Sequence, residues 1–209
     1  GAVHPSGGIA AVWLLDDGSG DIKVARVDGA GATVWQRRIA TTDQNVMLSW
    51  NLVRSVCYPN GDILVAGNRD SYLYGNCFAI RLDAQGNILW ARIYGVHAAN
   101  AQEWMSALAV LPNGGALMSI GSTAGSTLTA LDANGQLVWT KRYTLGTNAL
   151  AFKEMRVEAD GDIALMGPYG MYNSDHGGVL IHTDASGNIE WSVTDTLHMF
   201  DSFIQSADQ

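Results

Sequence analysis

The chain has 209 residues, 47% of them hydrophobic, with 24 glycines, 4 prolines and only 15% charged residues. That is enough to bury a core as one or two domains, and it is too apolar for a disordered chain. The formal charge of −8 excludes the basic footprint that nucleic-acid binding requires, and no apolar run approaches the ~18 residues of a membrane-spanning helix.

The first mark along the chain is the turn sequence Pro5-Ser6-Gly7-Gly8, followed after two apolar stretches by Asp28-x-x-Gly31-x-x-x-Trp35. The pair returns as Pro59-Asn60-Gly61-Asp62 with Asp83, Gly86 and Trp90. It returns again as Pro112-Asn113-Gly114-Gly115 with Asp132, Gly135 and Trp139, and as Ala159-Asp160-Gly161-Asp162 with Asp184, Gly187 and Trp191. The Trp-to-Trp steps are 55, 49 and 52 residues, so one unit is repeated four times.

Each unit reads as four short strands. In the second, Leu52 to Tyr58 alternates and stops at Pro-Asn-Gly, and Asp62 to Asn68 follows as a nearly continuous apolar run. After a loop come Cys77 to Leu82, the Asp83-Ala84-Gln85-Gly86 turn, and Asn87 to Tyr94. Asp at the first turn position can bond nearby backbone, and Gly supplies the positive φ that closes the hairpin. Four strands per ~50 residues, repeated, predict an all-β fold of four-stranded antiparallel blades, a β-propeller. The repeats span about 1–49, 50–103, 104–151 and 152–201, within a single propeller region 1–209, and 202–209 starts a further first strand. Both ends fall in the phase of a first strand. This predicts a larger ring, continued by further blades or completed by a second chain, with a closed four-bladed ring as the alternative. The recurring Trp35, Trp90, Trp139 and Trp191 are expected to dock blade on blade, and Asp28, Asp83, Asp132 and Asp184 to build the turns.

The segments IRLDAQGNILWARIYG and TALDANGQLVWTKRY resemble the repeat of PQQ-like, quinoprotein-type β-propellers, with its L-D-x-x-G-x-x-x-W core. They are also similar to the looser repeats of bacterial exported seven-bladed propeller proteins. The resemblance extends over all four repeats and implies the fold. For function it implies a range: dehydrogenases, assembly scaffolds and binding modules.

The two cysteines fall at opposite ends of one predicted sheet. Cys57 closes a first strand and Cys77 opens a third, too far apart for a disulfide.

Ligands are expected on the face that gathers the strand two–three loops and the blade linkers. His97, His176 and His198 lie there with several carboxylates, among them Glu103 and Glu154, but with no short metal-ligand spacing. Two loops are rich in tyrosine, with Tyr72 and Tyr74 in one and Tyr169 and Tyr172 in the other. Tyrosine among Gly, Asn and Ser suits recognition of a protein or glycan, so these four, with His176 and His97, are the expected partner-binding residues. Asp17, Ser19 and Asp21 alternate as calcium-loop oxygens do, but Ile22 stands where such a loop needs Gly, and the segment reads first as a turn.

Together these features predict a non-catalytic scaffold or binding module with no catalytic residues and no cofactor. The acidic, lysine-poor, glycine-rich composition suits an exported protein. The alternatives are a PQQ-dependent dehydrogenase, which the resemblance implies would hold calcium, and a metal-dependent hydrolase or lyase on the loop face. Quinoprotein dehydrogenases often carry a vicinal cysteine pair; this chain has none, and no catalytic position carries over.

Overall fold

The computed structural model describes residues 1–15, 21–40, 53–69, 76–95, 103–122, 125–145, 150–169 and 177–196. These residues form sixteen strands in four separate antiparallel sheets, each with its strands in chain order. Sheet one holds β1 (Ala2–Val3), β2 (Ile9–Leu14), β3 (Ile22–Val27) and β4 (Thr33–Ile39). Sheet two holds β5 (Arg54–Cys57), β6 (Ile63–Arg69), β7 (Asn76–Leu82) and β8 (Ile88–Tyr94). Sheet three holds β9 (Glu103–Val110), β10 (Ala116–Ser122), β11 (Gly125–Leu131) and β12 (Leu137–Tyr143). Sheet four holds β13 (Glu154–Val157), β14 (Ile163–Tyr169), β15 (Gly177–Thr183) and β16 (Ile189–Asp195). The result is the expected propeller-like succession of blades, and no helix occurs among the described residues. No helix there is long and apolar enough to cross a membrane.

The Asp-x-x-Gly-x-x-x-Trp motif builds the outer hairpin of each blade by one mechanism. In all four turns the Asp Oδ1 accepts the backbone N–H groups two and four residues on. The turn glycine has φ of 86° (Gly31), 84° (Gly86), 73° (Gly135) and 76° (Gly187), a region that costs any side chain. The ladder then slips by one residue, between Arg26 and Val27, Arg81 and Leu82, Ala130 and Leu131, and His182 and Thr183. Each slip is a β-bulge, which leaves one extra residue just before the Trp and turns its side chain. At Asp83 and Asp184 the side chains of Asn87 and Asn188, followed by backbone N–H groups, hold the carboxyl below its ordinary value.

The core lies between blades, because alternation sends successive residues of an inner strand to opposite neighbours. In the second blade Ile63, Val65, Ile80 and Leu82 pack on Ala10, Ile22 and Val24 of the first. Leu64, Ala66 and Ala79 of the same strands pack on Met105, Met118 and Ile120 of the third. Leu117, Leu128 and Ala130 continue to Phe152, Leu165 and Ile181 of the fourth. Among the described residues, no such cluster joins the fourth blade to the first.

Both cysteines are free thiols. Cys57 pairs with Ile63 at one end of β6 and Cys77 with Asn68 near the other, which is the expected separation. Burial pushes the Cys77 thiol up, and the charge of Glu103 adds to the rise.

Candidate functional site

Successive blades meet through a joint built three times from the same parts. Trp35 Nε1 donates to Ala84 O at 2.9 Å, and Trp90 Nε1 donates to Ala133 O at 2.9 Å. Each ring lies over the turn glycine of the next blade. A Cβ at Gly86 would stand 2.9 Å from the Trp35 ring, at Gly135 2.9 Å from Trp90, and at Gly187 2.8 Å from Trp139. Glycine is therefore required twice over, by its φ and by the ring above it. Residues farther along the outer strand extend the contact. Tyr94 Oη donates to Gly135 O and Tyr143 Oη to Gly187 O, both at 2.7 Å, while Arg92 Nε donates to Asn134 O at 3.0 Å.

Among the described residues no following blade covers the outgoing half of this joint on the fourth blade, and no preceding blade covers the incoming half on the first. Trp191 is 47% exposed, whereas Trp35, Trp90 and Trp139 are each half-buried. At Gly31, the turn glycine of the first blade, a Cβ would meet no atom within 4 Å. One position of the second strand repeats the contrast. Ile63, Ala116 and Ile163 are 0% exposed against the preceding blade, and their counterpart Ile9 is 47% exposed.

The second and fourth blades use the same four positions differently. In the second, Arg81 pairs with Asp62 (Nη2 to Oδ2, 2.8 Å) and stacks 3.9 Å from the centroid of the Tyr58 ring. It also donates from Nη1 to Gly114 O at 2.9 Å and Ala133 O at 3.1 Å, latching the third blade. Burial raises the Tyr58 hydroxyl to about 12, against the opposing charge of Arg81. In the fourth blade the Arg81 position is His182. Its ring stacks on Trp191 with centroids 5.0 Å apart and planes 4° from parallel. Nδ1 lies 3.0 Å from Glu190 Oε2 and Nε2 lies 3.3 Å from Glu158 Oε1. One ligand atom from each of Asp162, His182 and Glu190 lies within 4.8 Å of the other two. The bulge explains how Glu190 arrives there: His182 pairs with Trp191 and Thr183 with Ile189, so Glu190 is the extra residue.

Three of the four predicted docking tryptophans dock, and all four turn aspartates cap their turns. Tyr169 corrects an expectation. Strand β14 runs on to it, Leu150 bridges to it, and the ring is 5% exposed within the core between blades three and four. It is a packing residue, not a recognition residue. Asp21 is also buried, at 6% exposure, and its Oδ2 accepts from Arg38 Nε at 2.6 Å, so an arginine already answers its charge. Tyr72, Tyr74, Tyr172, His97, His176, His198, Asp17 and Ser19 lie outside the described residues. An open groove of about 390 Å³ lies between the first two blades, beside His4, Ser6, Arg26, Asn60 and Gln85. Its carbonyl and hydroxyl groups already serve the joint, with His4 Nε2 3.1 Å from Gly61 O. Sequence reasoning did not single out the cluster around His182, because its members come from three segments and read singly as turn and strand residues.

No family model matches the chain, and no curated protein matches it. Among solved structures, a protein of unknown function from Bacteroides caccae is similar at a TM-score of 0.49 and 15% identity, over 93% of this chain and 80% of that one.

Proposed function

We propose that this chain is a non-catalytic β-propeller scaffold that works by docking a protein partner blade to blade, the partner being a second copy of itself. The observation that carries the reading is the open joint. Among the described residues the same Trp-on-Gly contact is made three times, while Trp191 on the fourth blade and Gly31 with Ile9 on the first have no counterpart against them. Exposed apolar surface of this kind, built from the parts that join the other blades, favours a head-to-tail contact.

Sedimentation equilibrium tests this directly. The expected mass is twice the 22.3 kDa of one chain. A single-chain mass persisting at about 100 μM, where even a weak interface would be populated, contradicts the reading.

A further inference from the structure

The structure assigns a binding site for a transition-metal dication of the zinc class to the fourth blade, held by Asp162, His182 and Glu190, with Glu158 at the other imidazole nitrogen. The inference does not rest on the scaffold reading.

The charge balance gives the first argument. Three carboxylates gather around one imidazole, and among the described residues none of the three has a lysine or arginine within ion-pair distance. Even a protonated His182 leaves the group two negative charges in excess, which is the electrostatic setting of a cation. The donors fit the class. An imidazole nitrogen selects zinc-like ions over calcium or magnesium, and carboxylates complete a tetrahedral set at ~2.0–2.2 Å. The ligand atoms of Asp162, His182 and Glu190 already lie within 4.8 Å of one another, and Glu190 is exposed. One imidazole nitrogen would take the ion while the carboxylate at the other nitrogen holds its N–H, the outer contact that orients metal-bound histidines.

The repeat supplies the second argument, independently of geometry. The fold fills these four positions with Leu111, Gly115, Ala130 and Val138 in the third blade, and with Tyr58, Asp62, Arg81 and Leu89 in the second. In the first blade they are His4, Gly8, Arg26 and Val34. The blade architecture therefore does not ask for ligand-type residues there. The third blade builds the same turns and the same bulge with none, the second balances its one carboxylate with arginine, and the fourth carries a ligand-type residue at all four.

The repeat also supplies the test, since substitutions to the residues other blades carry, Ala130 of the third and Leu89 of the second, keep the fold's own solutions. Zn²⁺ titrated calorimetrically into the chelator-treated 209-residue chain at neutral pH is expected to bind at one ion per chain. His182→Ala and Glu190→Leu should each weaken binding by about tenfold or more. The same proteins loaded with Co²⁺ report the ligand set through the visible absorption of a tetrahedral nitrogen–oxygen site. Overturning results are no stoichiometric binding below millimolar Zn²⁺, unchanged affinity in His182→Ala, or a cobalt–thiolate band that moves the ion to Cys57 or Cys77. Circular dichroism of Glu190→Leu, at an exposed position, separates lost ligands from lost folding.

Discussion

Arg81 shows how one side chain joins two blades and what its removal would expose. Its guanidinium and the Asp62 carboxylate are 9% and 10% exposed, and the Tyr58 ring closes over the pair. Deleting one partner of a buried pair leaves the other charge without compensation, at a cost of about 3–5 kcal/mol, a penalty that removing both avoids. Arg81→Ala is therefore expected to destabilise by about 3–5 kcal/mol in urea unfolding. The double variant Arg81→Ala/Asp62→Gly, which carries the third blade's residues, should recover most of that loss. Equal losses in the two variants would mean that the arginine acts through its bonds to Gly114 and Ala133 rather than by balancing Asp62. Residues of this kind are poorly legible from sequence. Asp62 and Arg81 stand on separate strands, and nothing in their spacing says that a tyrosine ring lies above them.

At the scale of the hairpin, the turn chemistry was legible almost residue by residue. Asp at the first position, Gly at the fourth and Trp four residues later each have the role their chemistry implies. What the spacing did not reveal is that the glycine of one blade is also the seat of the preceding blade's tryptophan. That contact spans a whole repeat and depends on how sheets stack. It predicts two separable costs. Gly135→Ala meets both the positive φ and the Trp90 ring, and should lose about 3 kcal/mol, the sum of left-handed strain and overpacking. Gly7→Ala, at φ 85° with nothing within 4 Å, meets the strain alone and should lose about 1 kcal/mol. Urea midpoints at constant slope measure both, and equal losses would remove the ring's share. The strand limits also show where local reading fails. Pro168 and Tyr169 look like the start of a loop, yet Pro168 pairs with Gly178 and Tyr169 with Gly177 inside the ladder. The neighbouring blade buries that strand end, and burial decided its structure.

At the scale of the molecule, the four described units meet at three interfaces. Stability in such a row depends on neighbours, so an end face is the least satisfied part of it. The repeat made the row legible, because the turn and tryptophan marks recur with every blade. The His182 cluster was not legible in the same way, since it departs from the repeat and only a position-by-position comparison of blades brings its four members together. The open joint is the central claim, and complementation between two variants tests it most directly. Trp191→Ala removes the outgoing half, at a cost of about 2–4 kcal/mol for a buried interface tryptophan, and Ile9→Lys blocks the incoming half. Alone, either variant has both of its self-contacts damaged and should sediment as a single chain of 22.3 kDa. Mixed in equal amounts, they can form one intact joint, from the Trp191 of the Ile9→Lys chain to the first blade of the Trp191→Ala chain. The account predicts that a two-chain species reappears in the mixture and in neither variant alone. A mixture that stays at single-chain mass, beside an unsubstituted chain that pairs, would contradict head-to-tail docking through this joint.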